Sequence, residues 1–317
     1  MRKRDKPPSG GEITAHDRSH MNFAETNELE IAYEVYGPAS GQPVVCLHGW
    51  PDSMHCWNGV GALLRDAGCR VYTPSLRGFS PTRFLRRETM RSGQVEAFGH
   101  DAMSFLEALD LQDVILVGHD WGARAAYVVG ALFPERLRGL VVISTGYGTN
   151  SPNYQFGYEF THSFWYQWFV ATQRGRKAMH TDRIEFCRYL WREWSPGRVL
   201  DEAAFAEAST AWQNDDWPEI TIHAYLHRWG EAKGDPAYSS IEERMEQLPR
   251  IRVPTTVIHG DPDPGNPTSS SAGKERYFAG PYRRLILPGV GHLVPRDAPR
   301  ETAQAILDLL AVCKKTK

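Results

Sequence analysis

The amino-acid sequence predicts an α/β fold: a mostly parallel central sheet with helices on both faces and an inserted helical cap. Three features carry that prediction. From Leu29 onward, short β-rich runs alternate with longer helical patterns, the rhythm of parallel strands joined by crossover helices. The rhythm stops after Ser144 and resumes at Thr255. Seven of the ten tryptophans, from Trp165 to Trp229, fall inside that interruption. At roughly 150 residues per domain, 317 residues make about two domains. The expected division is one α/β core, residues 21–144 and 249–317, split by a helical cap at 145–248. Residues 1–20 are expected to be a disordered extension, with Met21 as an alternative start.

Each element follows from local pattern. Residues 29–36 read as a strand ended by Gly37-Pro38, and the wholly apolar 43–47 as a second, stopping at His48-Gly49. A helix at about 57–67 leads to a strand at 70–73 and then to a polar loop, whose basic stretch at 83–91 reads as a solvated face. Helix 93–109 sets Val95, Phe98, Ala102, Phe105, Leu106 and Leu109 on one stripe. Residues 114–117 form a buried strand entering a sharp turn at 118–122 and a helix to about Phe133; 140–143 is the next strand. Beyond the aromatic interruption come a strand at 255–258, a helix near 270–278, a strand at 283–287 and an amphipathic closing helix at about 302–312.

Thirty-six basic and 38 acidic residues leave a formal charge of -2, without the basic field that nucleic acid or an anionic membrane requires. The expected partner is a small hydrophobic substrate. Five cysteines, scattered and free of CxxC spacing, suit reduced core thiols in a cytoplasmic enzyme. No apolar run approaches the ~18 residues of a membrane span, and the charged start has no apolar stretch after it. The short run from Arg2 to Lys6 reads as solvated rather than as a nucleic-acid patch. Neither a cofactor nor a metal is expected, and monomer and homodimer stay open.

The chemistry concentrates at Gly118-His119-Asp120-Trp121-Gly122. This turn follows an apolar strand and opens a helix, the setting of a nucleophile elbow, where flanking glycines permit a strained turn tight against the helix. Its central residue is Asp120 rather than serine, and no G-x-S-x-G occurs anywhere in the chain. A carboxylate there can attack an electrophilic sp3 carbon and form an alkyl ester that water must hydrolyse. Alone, the motif reads equally well as an ordinary strand-to-helix turn.

Its partners change that balance. Behind an elbow nucleophile the acid and then the histidine follow in chain order. Asp263 in Gly260-Asp261-Pro262-Asp263 and His292 in Gly289-Val290-Gly291-His292 do so, each just after a strand, where open α/β sheets place their ligands. Asp261 competes for the acid role, but the G-x-x-D spacing favours Asp263. His119 and His259 read as packing or hydrogen-bonding residues, and His259, Asp261, Asp263 and His292 lack a recognisable metal-ligand pattern. In His48-Gly49-Trp50-Pro51-Asp52-Ser53, the backbone N–H of Trp50, with that of Trp121, would form an oxyanion hole for the ester carbonyl oxygen of Asp120.

Together these residues resemble the α/β-hydrolase superfamily and, within it, the aspartate-nucleophile branch of epoxide hydrolases and dehalogenases, over about residues 24–313. His-Gly-Trp-Pro-Asp-Ser and Gly-His-Asp-Trp-Gly look like epoxide hydrolase motifs. Arg77-Gly78-Phe79-Ser80 is similar to the family's Arg-Gly-aromatic-Gly segment but departs from it at Ser80 and Pro81, so it is assigned no catalytic role. The resemblance puts specificity in the cap. Tyr166, followed by Gln167, is similar to the first cap tyrosine of epoxide hydrolases and Tyr225 to the late one; the same likeness sets His48, Gln167 and Trp168 against the substrate.

Epoxide opening generates an alkoxide that needs an acidic O–H donor, whereas carbon–halogen cleavage releases a halide that needs N–H or aromatic-edge donors. The two tyrosines favour the epoxide; Trp168 and Trp121 keep a dehalogenase open. Fluoroacetate dehalogenases also carry an arginine directly after the nucleophile. Trp121 stands there, against a haloacid, although Arg124 keeps the second arginine of that pattern. Most of the aromatics read as packed cap core, and a noncatalytic small-ligand receptor on the same fold is the third alternative. The expected function is cofactor-independent opening of epoxides to vicinal diols. Asp120 attacks, Tyr166 and Tyr225 protonate the ring oxygen, and His292, oriented by Asp263, activates the water that is the co-substrate.

Overall fold

The computed structural model describes residues 21–151 and 154–315; the extension expected at 1–20 lies outside them. Strands β1 (Asn22–Glu25), β2 (Leu29–Tyr36), β3 (Gln42–Leu47), β4 (Cys69–Pro74), β5 (Arg83–Phe84), β6 (Val114–His119), β7 (Leu137–Ile143), β8 (Thr255–Asp261) and β9 (Tyr282–Pro288) share one sheet. Their order is β1-β2-β4-β3-β6-β7-β8-β9, with β5 beside β2. β2 runs antiparallel to β1, β4 and β5, and the pairings from β4 through β9 are parallel. The sequence reading misses β1 and β5 because both are short edge pieces; β1 buries only Ala24.

Alternation along the strands divides the core into two layers. Val44 and Cys46 of β3, with Ile115 and Val117 of β6, join the cluster under α1 (Asn58–Asp66) and the closing helix α12 (Pro299–Lys315), which the short α11 (Val294–Asp297) precedes. Val45 and Leu47, with Val114 and Leu116, join the cluster under α2 (Val95–Ala108) and α3 (Trp121–Leu132). Every residue of β6 is buried, as a central parallel strand covered on both faces must be.

Two local expectations are corrected. Instead of a helix at 270–278 the chain makes two single 3-10 turns, Thr268–Ser271 and Glu275–Tyr277, separated by Gly273 at φ +66. Serines that compete for backbone hydrogen bonds and a left-handed glycine together stop the helix. The basic stretch at 83–91 is only partly a solvated face. Arg83 pairs with Glu30, while Arg91 pairs with Asp216 at 2.7 Å and lies 4.3 Å from the Phe84 ring centre.

Between β7 and β8 run α4 (Tyr158–Ser163), α5 (Trp165–Ala171), α6 (Gln173–Thr181), α7 (Arg183–Trp194), α8 (Glu202–Ala211), α9 (Trp217–Arg228) and α10 (Ser239–Glu246), with no strand among the described residues. Thr172 and Asp201 accept backbone N–H bonds at the starts of α6 and α8 and so satisfy donors that the helices leave free. Indoles tie this helical segment to the core. Trp191 donates to Pro51 O at 2.7 Å, Trp212 to Asp52 O at 3.4 Å, and Trp50, from the core side, to Thr221 Oγ1 at 3.1 Å. Arg296 holds the same loop by a forked ion pair to Asp52, 2.7–3.1 Å. All five cysteines are buried. No helix among the described residues is long and apolar enough to cross a membrane.

A tight seam lies where α3 meets the end of β3. A Cβ on Gly122 would sit 2.3 Å from Leu47 O and 2.6 Å from His48 O, both rigid backbone. Gly122→Ala is therefore expected to cost about 3 kcal/mol of stability, measured as a lower urea midpoint at unchanged slope.

Candidate active site

β6 hands over to α3 through Asp120 alone, whose backbone sits at φ 48, ψ -109. A non-glycine residue in that region costs about 1–3 kcal/mol and persists only where its surroundings impose it. They do so here. A Cβ on Gly118 would lie 2.2 Å from Gly122 O, and one on Gly49 would lie 2.6 Å from Asp120 Cβ. This close approach brings the Trp50 N–H onto Asp120 Oδ1 at 3.0 Å. The Trp121 N–H heads α3, where the first amide groups have no intrahelical acceptor.

His292 Nδ1 lies 2.9 Å from both oxygens of Asp263. A carboxylate can only accept, so Nδ1 carries the proton and Nε2 of the neutral ring keeps its lone pair. Nε2 is buried, has no hydrogen-bond partner among the described residues, and lies 3.8 Å from Asp120 Oδ2. Asp263 Oδ1 accepts the N–H groups of Gly265 and Asn266 at 2.9 and 2.8 Å, and Oδ2 lies 3.2 Å from His259 Nε2. Asp261, the competing acid, is exposed at the end of β8. The His292 backbone is fixed as well: its N–H donates to Trp194 O at 2.8 Å, and its carbonyl accepts from His119 Nε2 at 2.8 Å and Ser144 Oγ at 3.1 Å.

Burial alone would raise the Asp263 carboxyl, but the His292 charge and the hydrogen bonds from His259 and His292 outweigh it and hold the group well below the ordinary range. Burial likewise opposes protonation of His292, and there Asp263, with a smaller contribution from Asp120, wins and moves the imidazole up. His119 has no such partner. Burial, then the neighbouring His292, lowers it to about 4.

Above Asp120 the helical segment supplies two buried tyrosines. Tyr166 stacks on Trp50 with ring centres 5.6 Å apart, and Tyr225 meets Trp50 edge-on at 5.3 Å and Tyr166 edge-on at 5.6 Å. Burial and the Asp120 charge raise the Tyr166 hydroxyl, while burial, Tyr166 and Asp120 raise that of Tyr225. Both phenols are thus held protonated within the electrostatic reach of Asp120.

Three expected substrate contacts are placed differently. Gln167 donates to Tyr166 OH at 2.7 Å and accepts from Trp229 Nε1 at 3.2 Å, so its amide orients the tyrosine instead of meeting a ligand. His48 is wholly buried. Its Nε2 accepts from Leu76 N–H at 3.1 Å and its Nδ1 donates to Gly49 O at 3.0 Å, and burial lowers it to about 4. Trp168 donates to Thr161 O and packs 4.1 Å from Trp229, on the outer side of the helical segment.

The sequence reading also misses three contributors. Trp194 covers His292, ring centres 4.7 Å apart; Asn266 donates to Asp263 from its backbone and to Ser144 O from its side chain; Arg228 follows Tyr225 by three residues on α9. Only Arg228 has a usable signal, its helical spacing from Tyr225. No group of three or more His, Cys, Asp or Glu among the described residues could hold a metal ion.

The profile of the α/β hydrolase fold matches residues 42–299, and the chain belongs to that family. It is 34% identical to a crystal structure titled "putative epoxide hydrolase" from Klebsiella pneumoniae subsp. pneumoniae MGH 78578, with a TM-score of 0.85, covering 91% of this chain and 96% of that one. Epoxide hydrolase A of Mycobacterium tuberculosis is 22% identical over 91% of this chain and 96% of its own. Haloalkane dehalogenase of Mycolicibacterium paratuberculosis is 26% identical over 89% of this chain and 88% of its own.

The raised imidazole gives a direct prediction. The ring resonances of His292, followed by NMR against pH, should titrate with a midpoint above the ordinary 6.5. Asp263→Asn should bring that midpoint down, because it removes the charge that opposes desolvation.

Proposed function

We propose that this protein hydrolyses epoxides to vicinal diols through an alkyl ester on Asp120, with residues 145–248 acting as a cap over the site. The single observation that supports this best is the pair of buried, protonated tyrosines, Tyr166 and Tyr225, packed against Trp50 and facing the Asp120 charge. Only a leaving alkoxide needs two phenolic donors.

In the first half-reaction Asp120 Oδ2 attacks one ring carbon. The carbon–oxygen bond breaks, and a proton from the tyrosine pair goes to the departing oxygen. Oδ1, already bonded to Trp50 N–H, becomes the ester carbonyl oxygen, with the Trp121 N–H as its second donor. In the second half-reaction His292 Nε2 takes a proton from water, which attacks the ester carbon. The oxyanion is held by the same two amides until it collapses: the ester C–O bond breaks, the proton left on the added oxygen passes to the departing alkoxide, the diol leaves with Asp120 restored as carboxylate, and the proton on His292 returns through solvent to the tyrosinate. Formation of the ester removes the Asp120 charge, one of the groups that raise His292. The imidazole therefore gives up its proton more readily at the stage where it must act as a base.

A dehalogenase reading is favoured by the haloalkane dehalogenase relative and by Trp121 beside the nucleophile. Trp168 does not support it, since its N–H is spent on Thr161.

Two measurements test the proposal. His292→Gln, incubated with an aryl or alkyl epoxide, should gain one epoxide mass on Asp120 by intact and peptide mass spectrometry; an unmodified Asp120 overturns the nucleophile assignment. Converting both Tyr166 and Tyr225 to Phe should lower diol formation by on the order of 10²–10⁴. Halide release from haloalkanes by wild type without diol from epoxides would establish the second reading.

A further inference from the structure

Beside the catalytic tyrosines a cavity of about 500 Å³ opens between core and helical segment, lined by Arg124, Arg228, Tyr154, Phe156 and Met245 among others. A narrow side pocket shares both arginines and reaches Trp121 and Tyr225. Arg124 is 7% exposed, and its guanidinium donates only to neutral acceptors, Thr149 Oγ1 at 3.2 Å and Asn150 Oδ1 at 3.4 Å. Arg228 lies over the rings of Phe164 and Trp229, at 4.6 and 4.9 Å, and its Nε is buried without a hydrogen-bond partner among the described residues. Neither arginine forms an ion pair among the described residues; the carboxylate that bears on both is the nucleophile, Asp120.

A cation drawn out of water without an ion-pair partner is unfavourable, and here two like charges line the same cavity. Burial, then the Arg124 charge, brings Arg228 down to about 9. The acids of the cavity do not compensate. Glu96 is raised to about 7 by burial and by Glu242 and Glu246, and Glu242 pairs with His227 at 3.2 Å. The cavity thus has a cationic end against the reaction centre and an acidic end away from it. Arg124 follows Trp121 by three residues on α3, and Arg228 follows Tyr225 by three on α9, so each arginine lies on the same helical face as a residue of the reaction centre, and all four line the side pocket.

Resting on the epoxide reading, we propose that Arg124 and Arg228 together grip a carboxylate on the substrate, which is accordingly an epoxy acid with its carboxylate a few carbons from the ring. A planar monoanion suits guanidinium forks, and the acidic end disfavours a dianion. The apolar lining takes the remaining carbon chain. The fold-wide expectation of a small hydrophobic substrate becomes one of a small amphipathic one.

The test compares an epoxy acid with its methyl ester on wild type, Arg228→Gln, Arg124→Gln and Arg228→Lys. Wild type should prefer the acid at least tenfold in kcat/KM, chiefly through KM. In either Gln variant the acid-to-ester ratio should fall at least tenfold, with partial recovery in Arg228→Lys; ester turnover reports that the variants fold. A wild type without preference, or a ratio unchanged in both Gln variants, overturns the clamp while diol formation leaves the epoxide reading standing. Calorimetry with the unreactive saturated carboxylate separates the converse case. Binding that Arg228→Gln weakens, in a protein that makes no diol, keeps the clamp and discards the epoxide reading.

Discussion

The structure depends on one constraint: the chain turns from a buried strand into a helix through a single residue, and that residue is an aspartate at positive φ. Nothing intrinsic to aspartate favours φ 48, ψ -109 strongly enough to hold it there. The turn persists because Gly118, Gly122 and Gly49 allow backbone to press on backbone from three sides. The same pressure serves chemistry. It lifts the carboxylate clear of the helix, aims it at the loop after β3, and brings the Trp50 N–H to 3.0 Å from one of its oxygens. The Asp120 carboxylate and the Trp50 N–H that meets it are therefore one packing solution rather than two.

The second layer is electrostatic. Asp263 is buried, and it stays ionised only because two backbone N–H groups and two imidazoles converge on it. That investment is passed to His292, whose proton is held at Nδ1 and whose Nε2 is left facing Asp120 Oδ2 at 3.8 Å. That distance is too long for a hydrogen bond, so the Nε2 lone pair is not spent on the neighbouring carboxylate. His119 and Ser144 fix the His292 carbonyl and Trp194 O receives its N–H, so the ring has little freedom to drift toward Asp120.

Much of this was legible in the sequence. Strand-to-helix elbows, acid and histidine after successive strands, and the aromatic interruption are all local patterns, and local patterns survive folding. The rest is not local. His48, in the loop motif, looked like a ligand contact, but its ring is consumed by Gly49 and Leu76, a partner 28 residues away. Trp168 and Gln167 share a helix of 7 residues with Tyr166, yet they have three different fates, because a helix sends neighbours to different faces. No spacing in the chain announces that Trp194 would cap His292 or that Asn266 would serve Asp263. The helix expected at 270–278 failed for a reason that was visible, a glycine among serines, but that needed its φ to become decisive.

The tryptophans acquire a different meaning from the one their number suggests. Of the seven indole N–H groups in the helical segment, those of Trp191 and Trp212 donate to backbone carbonyls of the core, those of Trp165, Trp168 and Trp229 to acceptors within the segment, and those of Trp194 and Trp217 are buried without a hydrogen-bond partner among the described residues. Trp191 and Trp212 work as fasteners: large apolar bodies whose one directional donor ties the helical layer to the core. Packing the helical segment this closely over Asp120 leaves Trp50, Trp121, Tyr166 and Tyr225 in one aromatic cluster. Under the proposed reaction, discrimination among substrates comes from where this aromatic floor opens. It opens toward Arg124 and Arg228, where charge without an ion-pair partner, rather than ring packing, lines the pocket.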